Sequence, residues 1–372
     1  MRTYVHGGDK YGISGQAKTT NDRSGTVSKP LKIIDFSANT NPLGMPEKVV
    51  KAAMESISRS ESYPDPFSRK LTEKICEFES EVAGFTVEND WVVCGNGAAD
   101  LIFRGAFVSN LKRVLVLAPT FSEYEESLME KNVEIVHFYL KKENNFCLTE
   151  DILQEMNHNI DGIFICNPNN PVGNLVDKRL LFEILKKAKQ KNILLFVDEC
   201  FLELTGELKS RSLVGQLKDF DNLVIFKAFT KTYAMAGLRL GYLLTSNVEL
   251  ADKIFNSGQP WSVSTPAQAA GVVALDQKEY VMRSIEYIVN ERNCLQRELE
   301  QMGCQVFSGA ANYIFFYHKD GKRFIDEMKK RGILVRDCEN YHGLKAGYMR
   351  IAVRNREENK VFIERAKEVL NG

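Results

Sequence analysis

From Leu31 onward the chain alternates two textures. Short, nearly continuous apolar runs, VLVLAP (114–119), IFICNP (163–168), NILLFVDE (192–199), LVIFKAF (223–229) and RLGYLL (239–244), are separated by stretches of helical periodicity. A run apolar at almost every position is what a strand covered on both faces requires, because successive side chains point to opposite faces. LLFEILKKAKQK (180–191) has apolar residues at helical spacing and ends in lysines, which suit the negative end of a helix. The alternation predicts an α/β layer of mainly parallel strands. After about residue 265 the pattern changes. A long amphipathic stretch over 278–302 is followed by strand-like ANYIFFYH (311–318), a helical segment over 321–332, strand-like GYMRIAV (347–353) and a closing helix. That order predicts a smaller α+β unit with a helical join. Residues 8–30 are rich in Gly, Ser, Thr and Lys and have little to bury. The expected organisation is an arm over 1–30, a larger unit over 31–265 and a smaller one over 266–372, which the first residues of the larger unit can join.

Composition narrows the function classes. A chain of 372 residues is long for one core, in keeping with two units. Lys+Arg and Asp+Glu both number 49, so balanced charge gives no electrostatic case for nucleic acid or an anionic membrane as partner. MRTYVHGGDK lacks the apolar core of a signal peptide, and no run approaches a membrane span, so the expected location is the cytoplasm. The eight cysteines form no CxxC pair and no cluster with histidine at ligand spacing. They are expected to be reduced core thiols, with no metal.

Chemistry in an open α/β sheet gathers at the C-terminal ends of its strands. After WVVC comes GNGAAD (95–100), glycines followed by a helix start that offers free N–H groups to an anion. After VLVLAP comes TFSEY, with Phe121; after IFIC comes NPNNPVG, in which Pro168 and Pro171 can hold Asn170 rigidly. Asp198 and Glu199 follow ILLFV, and Thr230 and Lys231 follow IFKAF. A phosphate cradle, an aromatic plate, an amide, a carboxylate and a lysine in one pocket are the set that pyridoxal phosphate needs.

NPNNPVG, VDE and TKTYAMAGLRLGY resemble the strongest motifs of the fold-type I pyridoxal-phosphate enzymes of the aspartate-aminotransferase class, and the likeness runs from about Ile33 to the end. The resemblance implies a mainly parallel seven-stranded sheet in the large domain and a smaller α+β domain. It implies that Lys231 is the Schiff-base lysine and that Asp198 pairs with the pyridine nitrogen. Asn170 would bond the ring hydroxyl and Phe121 stack on the ring. The phosphate would take backbone N–H groups of Ala98 and Ala99 and the side chains of Thr230 and Arg239. Tyr63, in YPDP, is similar to a tyrosine that reaches the neighbouring subunit's cofactor, which implies a homodimer. HGGD, DFSANTNPLG, QPWSVS, GAANYIFF and RDCENYHGL look like segments of the L-threonine-O-3-phosphate decarboxylases of cobalamin biosynthesis; YPDP and GNG are shared with histidinol-phosphate aminotransferases. Phe201 stands where most aminotransferases have a tyrosine. Arg350 matches the arginine that binds the substrate α-carboxylate, and Arg336 and His6 are candidates for a substrate phosphate; Arg354 is read as structural. The expected substrate is L-threonine O-3-phosphate or a similar phosphorylated amino acid, and transamination of histidinol phosphate is the alternative. Asp9, where that family has asparagine, would repel a nearby phosphate. A non-catalytic cofactor-binding module is disfavoured, because Lys231 is retained and no helix-turn-helix extension or basic face is present.

Overall fold

The computed structural model describes residues 8, 33–129, 131–157 and 159–371. The expected arm over 1–30, with His6 and Asp9, therefore falls outside the described residues except for Gly8. Strand β1 spans Ile34–Asp35, β2 Val92–Gly95, β3 Arg113–Ala118, β4 Glu134–Tyr139, β5 Gly162–Cys166, β6 Leu194–Asp198, β7 Leu223–Ala228 and β8 Gly241–Leu244. Strands β9 Gln305–Phe307, β10 Tyr313–Tyr317, β11 Ile333–Leu334, β12 Arg336–Asp337 and β13 Tyr348–Ala352 follow. The helices that matter here are α1 (Glu47–Ser56), α2 (Arg69–Ala83), α3 (Ala98–Val108), α4 (Glu123–Met129), α5 (Lys178–Lys191), α6 (Thr265–Ala274), α7 (Lys278–Gln301), α8 (Gly321–Lys330) and α9 (Arg356–Asn371).

A seven-stranded sheet has the order β2-β8-β7-β6-β5-β3-β4. Neighbours from β4 to β7 pair in parallel, whereas β8 runs antiparallel to both β7 and β2. The mainly parallel sheet is as expected, with RLGYLL supplying its one reversed strand. Strand β4, EIVHFY, had no signal in the apolar pattern, because an edge strand half open to water keeps polar residues. Along the central strands, alternate residues feed two different cores. Leu115, Ile163, Leu195 and Ile225 enter one; Val116, Phe164, Phe196 and Phe226 enter the other. On the second face the rings of Tyr124, Phe164, Phe196 and Phe226 stack in a row, with centroids 5.1, 4.4 and 6.0 Å apart. Each such pair adds about 0.5–1.5 kcal/mol beyond area burial. The row ends at Tyr124, directly beside the strand ends.

Helix α5 covers the segment read as helical over 180–191 and begins two residues earlier: Asp177 caps it by accepting from the N–H groups of Arg179 and Leu180, and Asn192 ends it in the left-handed conformation. A second, four-stranded sheet has the order β12-β13-β10-β9, and β1 pairs with β11 across almost the whole chain. A third core joins Leu295 and Leu299 of α7 to Phe316, Phe324 of α8 and Phe362 of α9, and takes in Ile34 and Phe36. The eight cysteines are free thiols, but not all are core residues as expected: Cys94 and Cys294 are half-buried and Cys147, in a loop, is exposed. Among the described residues no helix is long and apolar enough to cross a membrane.

Candidate active site

Lys231 and Asp198 meet because their strands are neighbours in register. Asp198, the last residue of β6, pairs with Phe226 of β7, and just past the end of β7 one short helical turn, Phe229–Thr232, carries Lys231. The Lys231 Nζ lies 5.3 Å above the Phe201 ring. Burial lowers the Lys231 ammonium below its usual value, and the nearby charge of Arg350 lowers it further. A lysine shifted this way holds a larger share of neutral, nucleophilic amine. Asp198 is buried; its Oδ2 accepts from the Tyr124 hydroxyl at 2.7 Å and its Oδ1 from the Cys200 N–H at 2.9 Å. Burial, reinforced by the Asp198 charge, keeps Tyr124 protonated as the donor. Tyr124 had no place in the sequence reading. Its signal was there, three residues after Phe121 in TFSEY, a spacing that puts both rings on one side of a helical turn; they meet edge to face at 5.6 Å.

The anion end is assembled around α3. Gly97 caps the helix with φ +87, and a Cβ there would lie 2.6 Å from Arg239 Nη2, so only glycine lets the guanidinium reach the helix start. Arg239 itself sits at φ +58, an uncommon conformation for a non-glycine residue that tends to mark functional sites. Ala98 and Ala99 supply the first helical N–H groups, and Thr230 is buried beside Lys231. The peptides before Pro168 and Pro171 are cis, and Asn170 between them is buried.

Arg350 lies on β13, buried. One guanidinium nitrogen donates to Asn170 Oδ1 and another to the Ser37 carbonyl at 2.9 Å. The Asn39 amide, with its oxygen turned inward, accepts from Nη1 and Nε at 3.2 Å. The same guanidinium lies 5.3 Å over the ring of Tyr313, whose hydroxyl donates to the Asn169 carbonyl. Ser37, Asn39 and Tyr313 were missed in the sequence: Ser37 and Asn39 lie some 300 positions from Arg350, and Tyr313 reaches it from a different strand, so nothing local marks them. Arg336 pairs in register with Arg350 across β12 and β13, donates to Asn340 Oδ1 at 3.0 Å and lies 5.2 Å over Tyr341. Gly8 donates its N–H to Ser37 Oγ, and the carbonyl of the same Ser37 accepts from Arg350; His6 and Asp9 lie outside the described residues. Arg354 instead pairs with Glu358 at 2.9 Å, a structural role as read. Tyr63 stands apart from the cluster, 78% exposed and stacked on Trp261 at 4.3 Å. Burial pushes the carboxyl of Glu123, the residue before Tyr124, up to about 7, against the pull of the Lys231 charge.

The family model for aminotransferase class I and II matches residues 32–365, and the chain belongs to that family of pyridoxal-phosphate enzymes. Among curated relatives it is 32% identical to the threonine-phosphate decarboxylase of Salmonella typhimurium, over 92% of this chain and 93% of that one. It is 28% identical to the histidinol-phosphate aminotransferase of Methanocaldococcus jannaschii, covering 92% and 91%. Among solved structures, the histidinol-phosphate aminotransferase from Clostridium acetobutylicum superimposes with a TM-score of 0.83 at 32% identity, over 90% of this chain and 98% of that one.

Proposed function

We propose that this enzyme removes carbon dioxide from L-threonine O-3-phosphate or a closely similar phosphorylated amino acid, using pyridoxal phosphate. The observation that carries the reading is the pair Arg336 and Arg350. Residues directly opposite on antiparallel strands share a face, and like charges there repel. Among the described residues neither arginine makes an ion pair; their partners are neutral oxygens and rings. A buried, uncompensated guanidinium such as that of Arg350 is costly, and with the half-exposed Arg336 beside it the pair suits a substrate with two anionic ends. The 32% identity to a threonine-phosphate decarboxylase, and Phe201 beside Lys231, support decarboxylation over transfer.

The donor set fits the cofactor. Asn170 has committed its carbonyl oxygen to Arg350, which leaves its NH2 for the ring hydroxyl; Phe201 has no hydroxyl to share that task. Asp198, held from both sides by Tyr124 and Cys200, is oriented to accept from a protonated ring nitrogen. Phe121 would cover the ring, and the start of α3, with Thr230 and Arg239, would take the phosphate. Bound there, pyridoxal phosphate withdraws electrons from the substrate α-carbon and so weakens the bonds to it. Arg350 grips the carboxylate and Arg336 the distal phosphate, so rotation about the amine is stopped and one bond is presented for cleavage. When the carboxylate leaves as carbon dioxide its bonding electrons stay at the α-carbon, and the Lys231 ammonium returns a proton there. The homodimer belongs to the same reading. Tyr63 and Trp261 expose a stacked pair of rings, with Phe67 on Phe255 close in sequence to it, a surface suited to a second copy whose phosphate site Tyr63 would complete. The reading also keeps a boundary near residue 265, with Ile34 and Phe36 counted in the smaller unit.

The likeness to the Clostridium acetobutylicum structure favours a second reading, transamination of histidinol phosphate. Incubation with phosphothreonine, phosphoserine, or histidinol phosphate plus 2-oxoglutarate separates the two. Carbon dioxide from a phosphorylated amino acid is the expected product; glutamate without carbon dioxide would end the decarboxylase reading.

A further inference from the structure

A few residues from the substrate arginines, three ligating side chains converge from three separate elements: Glu125 on α4, His137 in edge strand β4 and His342 in the loop between β12 and β13. His137 Nε2 lies 3.0 Å from Glu125 Oε1, and His342 Nε2 lies 3.2 Å from Oε2, so each carboxylate oxygen faces a different imidazole. The two imidazoles stack with centroids 4.5 Å apart and planes 28° from parallel. Two protonated rings that close would repel. A dication between neutral rings removes that conflict and satisfies the carboxylate as well.

The distances suit a small ion. Donors bound at 2.0–2.1 Å around tetrahedral zinc lie about 3.4 Å from one another, close to the two Glu125–imidazole spacings here, and all three donors lie within 4.8 Å of one another. Two imidazoles and one carboxylate are borderline donors, favoured by zinc and its transition-metal neighbours over the hard cations calcium and magnesium. Glu125 and His137 are mostly buried while His342 is 56% exposed, which leaves a fourth position open to water.

The backbone fixes this meeting independently. Gly343 has φ +81, and a Cβ on it would lie 3.1 Å from the Tyr139 ring and 3.4 Å from the Ala118 carbonyl oxygen. Ala118 and Tyr139 are register partners at the ends of β3 and β4. A glycine is therefore what lets the loop land on the strand ends and bring His342 beside His137.

We propose that Glu125, His137 and His342 bind one divalent transition-metal ion of the zinc type, with water as the fourth ligand. The ion ties the loop that carries Asn340 and Tyr341, the neighbours of Arg336, to the helix whose Tyr124 holds Asp198. It is a structural clasp beside the substrate site, and it does not depend on which reaction that site performs.

The test uses the full-length, cofactor-loaded protein, stripped with chelator and titrated with Zn2+ by calorimetry and with Co2+ by visible absorption. One equivalent per chain is expected, with tetrahedral Co2+ bands and no thiolate charge-transfer band. Zn2+ should also raise the melting temperature. His342→Ala, His137→Ala and Glu125→Gln should each weaken binding at least tenfold and remove the thermal shift, with metal-free melting of His342→Ala unchanged because its loop is exposed. Absence of stoichiometric binding, or binding and a thermal shift that survive His342→Ala and His137→Ala, would overturn the proposal.

Discussion

Lys227 and Lys231 lie one helical turn apart in sequence, and they are treated oppositely. Lys227 leaves β7 toward the face away from the candidate site. There it meets Glu79 at 3.0 Å and Glu199 at 3.4 Å, and Tyr242 donates to the same Glu79. Burial alone would lower its pKa, but the two carboxylates turn the net shift upward. Lys231 is lowered by burial and again by Arg350, with only partial opposition from Cys200 and Asp198. The residues before them repeat the contrast: Glu199 is spent on Lys227, Ser212 and the Leu213 N–H, while its neighbour Asp198 keeps its outer surface for a ligand. One side of the sheet closes its charges on each other. The other leaves cations facing cations. A self-satisfied network is a reason for the fold to hold, and an unsatisfied one is a reason for a ligand to arrive.

Replacement of each lysine should break a different property. Lys231→Ala is expected to lower turnover by roughly 10³-fold or more with an unchanged melting temperature, measured by product formation and calorimetry. Turnover above a trace would remove Lys231 from its assigned role. Lys227→Met leaves Glu79 and Glu199 buried without their cation, so urea unfolding should show a loss of about 3–5 kcal/mol, with activity per folded molecule retained. If stability held and activity fell, the network would belong to the site after all. Arg336→Ala should weaken phosphorylated substrates about tenfold or more, since a charge-assisted contact contributes roughly 1.5–3 kcal/mol, and should hardly change an unphosphorylated analogue. An equal loss for both would make Arg336 a fold residue.

The smallest expected effect is a slope. Burial pushes Glu203, on the network side, up to about 7, against the pull of Lys227. Its folded carboxyl therefore holds a proton that the unfolded chain has already released. Between its ordinary value, near 4.5, and about 7, folding takes up a proton, so this group's contribution to stability falls as pH rises and the penalty is complete above about 7. Urea midpoints from pH 5 to 8 should decline more steeply in the wild type than in Glu203→Gln. An identical decline would assign the titration to another group.

The site's cofactor end was legible because each of its residues follows an apolar run, and strand ends in a parallel sheet converge. Asp198, Asn170, Phe121 and Lys231 could be read from their positions alone. Tyr124 was one helical offset away and was passed over. The substrate end was legible only in part. Arg350 was found through the resemblance of its strand to the family's, but its partners Ser37, Asn39 and Tyr313 are joined to it by tertiary packing, which no local pattern encodes. In the fold, the buried strands announced themselves by continuous apolarity; the edge strand β4 did not, because its outer residues answer to water.

The parallel pairing of Ile34–Asp35 with Ile333–Leu334 sets an order of assembly during synthesis. All seven strands of the large sheet have been made once Leu244 leaves the ribosome, whereas Ser37 and Asn39 wait for Arg350, roughly a hundred residues later. At about 5–20 residues per second that is an interval of roughly 5–20 s. During it the nascent chain can own a lysine pocket yet have no means of gripping a substrate, and the first residues described are among the last to find their place.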